Sequence, residues 1–197
     1  HYTDVDWQKT VYTGSGFLQN HYVGVSGGSK RFKIMGSVAY QDQKGEVPSY
    51  ESERYSFRLN TEMDITDNFQ IRLNIAGRHS PTLSPAGGTG TYGVISEVIR
   101  TAPIYPAVLS DGRYGTGLSG TNPLARVQDG GYDRNTYESF LGTFQANYQP
   151  FKGADIEFNF TPQFNDNRGK TFFKAVSTYD PDVASPAFTF PSKTTLT

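Results

Sequence analysis

Between Tyr137 and Asn165 the chain alternates with period two. Phe140, Gly142, Phe144, Ala146 and Tyr148 hold one parity, and Ser139, Thr143, Gln145 and Asn147 the other. After Pro150-Phe151-Lys152-Gly153 the pattern resumes, with Ile156, Phe158, Phe160, Pro162 and Phe164 set against Asp155, Glu157, Asn159, Thr161 and Gln163. Successive side chains of a strand point to opposite sides, so the pattern predicts a hairpin with one apolar and one polar face. Four earlier runs follow the same rule. Phe17 to Ser26 places Val23 and Val25 on one parity and is closed by Gly27-Gly28-Ser29-Lys30, a tight turn in which glycine is expected to supply a positive φ. Phe32, Ile34, Gly36, Val38 and Tyr40 alternate with polar neighbours up to a polar loop over Asp42 to Glu53. Tyr55, Phe57, Leu59, Thr61 and Met63 alternate with Arg54, Ser56, Arg58, Asn60 and Glu62. Beyond the short turn Thr66-Asp67-Asn68, Phe69, Ile71, Leu73, Ile75 and Gly77 alternate with Gln70, Arg72, Asn74, Ala76 and Arg78.

The chain therefore divides into a loop over 1–16, four strands over 17–82, a long loop over 83–136 carrying a short helix, a hairpin over 137–165, and a loop over 166–197 with room for one short strand. Short connections alternate with long ones, as in outer-membrane barrels with tight periplasmic turns and long extracellular loops. Strands of about 11 residues, rising roughly 3.3 Å each and tilted near about 45°, climb about 25 Å, the height of such a barrel's apolar band. Aromatics at strand ends (Tyr40, Tyr55, Phe69, Tyr148) fall where an interfacial girdle belongs. A soluble antiparallel sheet with one face on a core gives the same alternation, but its strands average only about 5 to 6 residues. The fold class expected is thus all-β: an antiparallel, up-and-down transmembrane barrel segment of about six strands. Six strands cannot close a wide barrel, and an open edge in lipid leaves backbone groups unpaired, so further strands must come from a longer parent chain. The opening at His1, without Met or a leader-like apolar stretch, points the same way.

Composition sharpens this reading. Only 36% of the 197 residues are hydrophobic, yet there are 14 Phe, 13 Tyr and 21 Gly. The mean hydropathy of -0.54 excludes a transmembrane helix but suits barrel strands, in which only alternate residues are apolar. A net charge of -1 with dispersed Lys and Arg excludes a nucleic-acid binder. The absence of Cys removes disulfides, thiolate metal sites and thiol nucleophiles.

Several ordered motifs carry a family resemblance. They are Asp6-Trp7-Gln8; Gln19-Asn20-His21 leading to Val25-Ser26-Gly27-Gly28-Ser29; Val38-Ala39-Tyr40-Gln41-Asp42-Gln43-Lys44-Gly45; and Glu53-Arg54-Tyr55-Ser56 with Arg58-Leu59-Asn60. Arg100-Thr101-Ala102-Pro103-Ile104-Tyr105-Pro106, Asp111-Gly112-Arg113-Tyr114 and Asn122-Pro123-Leu124-Ala125 continue the series. In order and spacing, residues 4 to 165 resemble the SusC-like TonB-dependent outer-membrane transporters of Bacteroidetes. The resemblance implies a barrel of about 22 strands in the bacterial outer membrane, plugged by an N-terminal domain absent from this chain. It also implies energy from TonB through that plug, a SusD-like surface lipoprotein as cap, and import of a glycan or peptide.

On this reading Arg54, Arg58, Arg72, Arg78 and Glu157, with Glu62, face the lumen, either lining a ligand path or forming a wall paired with acids and plug. Tyr92, Tyr105, Tyr114 and Tyr132 sit in the long loop, where they would stack on sugar rings or bury against the partner lipoprotein. Gly88-Thr89-Gly90-Thr91-Tyr92-Gly93 matches a dinucleotide-binding fingerprint, but Pro81 and Pro85 stand where its strand should be; a Gly-rich loop leading into an amphipathic helix is the better account. His21 and His79 lack a third ligand at metal spacing and read as ordinary polar positions. No nucleophile-base-acid set stands out, so binding and translocation are expected, with no enzymatic activity and no cofactor. The alternatives are a soluble β-sheet carbohydrate-binding module, which needs its aromatics on one exposed face, and a passive porin.

Overall fold

The structure, a computed structural model, describes residues 3–87 and 93–197. Alternating runs become long antiparallel strands: β1 (Phe17–Gly28), β2 (Phe32–Lys44), β3 (Glu51–Thr66), β4 (Phe69–Pro85) and β5 (Gly131–Tyr148). A sixth strand line is split into β6 (Ile156–Phe160) and β7 (Gln163–Phe173), which pair with the two halves of β5. The split falls at Thr161-Pro162, where the proline has no N–H to give; Gly142 N–H still donates to the Pro162 carbonyl at 3.0 Å. β8 (Val176–Thr178) and β9 (Phe188–Phe190) form a separate two-stranded ribbon, and β10 (Lys193–Leu196) pairs with β7. The main sheet runs β1-β2-β3-β4-β5-β7-β10 and is not closed.

Element ends differ from the sequence reading in instructive ways. The connection between β2 and β3 covers only residues 45–50, because pairing continues to Lys44 opposite Glu51. β5 starts at Gly131 and not near Tyr137, and its partner β7 runs on to Phe173, into the segment expected to be loop. Gly27 and Gly28 are strand residues without positive φ. Gly28 is required by close approach: a Cβ there would lie 2.3 Å from the Phe32 carbonyl oxygen. In the short turns at this end of the sheet, the glycine that does supply a positive φ is Gly153 (φ 94°), between β5 and β6.

A second unit, the cap, sits at the long-loop end. The 1–16 segment is not all loop: α1 (Trp7–Val11) starts at Asp6, whose side chain accepts from the Lys9 N–H. The long loop carries α2 (Val94–Arg100), a 3-10 turn η1 (Leu118–Gly120) and α3 (Pro123–Asp129). Trp7, Val11, Val94, Val98 and Val127 from these pieces, with Val47 from the β2–β3 connection, form a buried cluster. The Trp7 indole N–H donates to the Ala102 carbonyl (3.2 Å) and Val5 N–H to Pro103 (3.0 Å), tying the N-terminal segment to the loop. Asn122 organises the loop from within. Its Oδ1 caps α3 at Ala125, and its amide donates to the carbonyls of Ala107 (2.8 Å) and Gly115 (2.9 Å).

Candidate functional site

Register turns each parity into rows that cross the sheet. On the apolar face the rows read His21, Tyr40, Tyr55, His79, Glu138; then Val23, Val38, Phe57, Gly77, Phe140, Phe164; then Val25, Gly36, Leu59, Ile75, Gly142. Further rows bring Ile34, Thr61, Leu73, Phe144 and Phe160, then Phe32, Met63, Ile71, Ala146 and Phe158, and the face ends at Phe69, Tyr148 and Ile156. Aromatic rings close the band at both ends. His21 stacks with Tyr40 and Tyr40 leans on Tyr55 (4.9 Å between ring centres) at one end, and Phe69 meets Tyr148 edge-on at the other. From Phe69 to His79, a strand at about 3.3 Å per residue tilted near about 45° rises roughly 23 Å. Val25 is 72% exposed and Phe164 59%, so among the described residues nothing covers the band there.

The opposite face is polar. Glu62 sits between Lys33 and Arg72 on neighbouring strands, accepting from Lys33 Nζ (2.7 Å) and Arg72 Nε (3.0 Å). Arg72 is thus part of an ion-pair row. Arg54, Arg58 and Arg78 are brought together elsewhere, in one hollow of about 550 Å3 with Tyr22, Tyr137, Gln163 and Asn165. Arg78 donates to Ser80 Oγ (3.3 Å) and lies 5.3 Å from the Tyr137 ring centre, while the Tyr137 hydroxyl donates to Asn165 Oδ1 (3.2 Å). No carboxylate lines this hollow among the described residues. Glu157 is remote from it, accepting from Asn159 Nδ2 (2.6 Å) on β6. Tyr22 and Tyr137 were missed as candidates; their signal in the sequence is an aromatic on an otherwise polar parity.

The described loop tyrosines do not share a platform. Tyr105 packs against the cap core. The Tyr114 hydroxyl donates to Asp129 Oδ2 (2.7 Å) and Gln128 Oε1 (3.0 Å); burial and that carboxylate push it up to about 12. Tyr132 lies on β5, not in the loop, against Phe172 on the apolar side. Tyr92 and residues 88–91 of the Gly-rich motif lie outside the described residues; Gly93 stands at the N-cap of α2.

The cap also holds a cavity of about 320 Å3 between α2, α3 and the β8–β9 ribbon, lined by Glu97, Asn122, Arg126, Lys174 and Thr178 among others. Glu97 is ion-paired with Arg126, and burial pushes its carboxyl up against that pull. Its Oε2 has no hydrogen-bond partner among the described residues. Lys174 bonds Asp129 (2.7 Å) and, with Tyr114, holds that carboxyl below the usual range.

No family model matches the sequence. Two curated proteins of Formosa agariphila are similar: TonB-dependent receptor P3, 32% identical over 80% of this chain, and TonB-dependent receptor P26, 26% identical over 89%. The chain spans only 16% and 18% of their lengths. Among solved structures, the RagAB peptide importer in its closed-closed state superposes with a TM-score of 0.62 at 20% identity, covering 94% of this chain and 22% of that one. A second structure, of the RagAB peptide transporter, gives 0.61 at 19% identity over 93% of this chain and 21% of that one.

Proposed function

This chain is a barrel segment of a TonB-dependent outer-membrane receptor similar to the SusC-like transporters, and on that premise we propose that the whole receptor imports oligopeptides with a SusD-like surface lipoprotein as its lid. The band between the aromatic rows is wall facing lipid, and the opposite face lines the path. The cap lies on the extracellular side, where the long loop and the lipoprotein close over the ligand. TonB acts through a plug outside this chain.

The observation that carries the ligand side is the hollow of Arg54, Arg58 and Arg78, which no carboxylate of the described residues lines. Arginines without acid partners attract anionic groups and grip a carboxylate with two parallel hydrogen bonds. A peptide offers such groups in its C-terminus and acidic side chains, whereas a neutral glycan offers none. The names of the RagAB structures support the same class. A sugar-binding module is a poor second, because the exposed aromatics continue into Val25, Ile34 and Met63, aliphatic surface that water would not tolerate over such an area.

The test is capture of a defined peptide mixture by the full-length receptor with its lipoprotein, read by mass spectrometry of what copurifies. Acidic peptides should be retained by the wild type and depleted at least about tenfold by R54Q/R58Q/R78Q, the loss expected from removing charge-assisted hydrogen bonds. Retention of neutral glycans in place of peptides, or equal peptide capture by the triple variant, would overturn the proposal.

A further inference from the structure

Above the aromatic row, the lipid-facing side of the sheet is divided by charge. On β2 and β3 it carries Asp42, Glu51 and Glu53 with a single Lys44, which pairs loosely with Glu51 at 3.9 Å. On β5 and β7 it carries Arg134, Arg168 and Lys170. Arg168 is occupied by Glu138 (2.8 Å) and Asp166 (2.7 Å), and Glu138 also holds His79 (2.9 Å). Arg134 and Lys170 are different. They are direct cross-strand partners, both exposed, and no ion pair within 4.0 Å engages either among the described residues.

Like charges placed opposite each other on a sheet repel. Here both lie near one aromatic ring: Arg134 Cζ is 5.7 Å and Lys170 Nζ 5.9 Å from the centre of Tyr132, which itself leans on Phe172 at 5.7 Å. An anion lodged between the two cations would turn repulsion into attraction. Arg134 stands four residues beyond Glu138, and so roughly 9 Å above the row that ends the apolar band. Long cationic side chains at that height reach the headgroup layer.

We infer that Arg134 and Lys170, with Tyr132 beside both, form a docking point for the phosphate of an anionic lipid headgroup in the outer leaflet. This rests on the outer-membrane orientation proposed above. The neighbouring acidic rim on β2 and β3 would repel the same headgroup, so the site orders lipid on one side of the segment only.

Full-length receptor in phosphatidylcholine nanodiscs containing bis-phosphorylated lipid A, released gently and read by native mass spectrometry, tests the assignment. The wild type should carry lipid A adducts. R134Q/K170Q should bind about thirtyfold more weakly, roughly fivefold for each cation removed. K30Q/K152Q, with the same charge change at the opposite rim, should bind as the wild type does. Equal retention by R134Q/K170Q, equal retention of dephosphorylated lipid A, or displacement of the lipid by an equal concentration of inorganic phosphate would each overturn it. Heat-modifiable gel mobility separates the two readings. A wild-type receptor that inserts and shifts but holds no lipid A loses only this site, whereas one that never inserts loses the barrel as well.

Discussion

The cap and the sheet are made from the same chain but meet their surroundings in opposite ways. In the cap, Trp7, Val11, Val94 and Val98 are almost wholly buried, and the polar Asn122 and Thr178 buried with them are hydrogen-bonded. In the sheet many apolar side chains stay open, among them Val25, Phe57, Phe140, Phe158 and Phe164. A soluble domain could not leave such a band uncovered. The cap thus supplies its own apolar interior, while the sheet borrows one from the bilayer. The difference shows that burial within a chain identifies a core only when the solvent is water.

Damage to each region should therefore be felt differently. Trp7→Ala empties the centre of the cap and should cost about 3 to 5 kcal/mol, read as lost amide-exchange protection across α2 and α3 in the full-length receptor while the strands stay protected. Protection lost equally in the strands would merge the two units. Leu73→Arg places a charge near the middle of the band and should cost about 2 to 4 kcal/mol of folding into bilayers; Asn74→Arg, one residue on, should cost far less. Comparable urea midpoints for the pair would erase the two faces. Asn122→Ala strips the cap of α3 and leaves the Gly115 carbonyl unpaired, while that of Ala107 keeps the Gly115 N–H; the cost should be about 2 kcal/mol, visible as faster exchange at Ala125 with no change in bilayer insertion.

The smallest expected effect is in pH. Asp129 is held below its usual range by Lys174 and Tyr114, so the folded cap binds fewer protons there than the unfolded one. That contribution is present above the unfolded value, near about pH 4, and is lost as pH falls through the lower folded value. Asp129→Asn should abolish this acid-side loosening of the contact between α3 and Lys174. An unchanged acid profile would remove Asp129 from the account.

How much of this could be read in advance differs between the same two regions. The alternation of Phe69 to Gly77 with Gln70 to Arg78 fixed both faces of β4, because period two survives any choice of neighbour. Strand ends were harder. At Tyr132, Arg134 and Thr136 the outward parity has left the apolar band, so alternation vanishes while pairing with β7 continues. The cap was least legible. α1 has five residues, too few for a helical period, and Trp7 and Val11 show their purpose only once Val94 and Val98 arrive from far along the chain. The arginine hollow also needed register, since only strand pairing separates Arg54, Arg58 and Arg78 from the Arg72–Glu62 row.

A barrel wall built from this sheet requires the odd residues of β4 to face lipid. This chain contributes no cysteine, so single spin labels at residues 69 to 79, in a full-length receptor with any cysteine outside this chain replaced, report one position at a time in bilayers. Labels at 71, 73, 75 and 77 should collide with oxygen dissolved in the lipid, and those at 70, 72, 74, 76 and 78 with a water-soluble nickel chelate. Water access at both parities, or the reverse assignment, would contradict it.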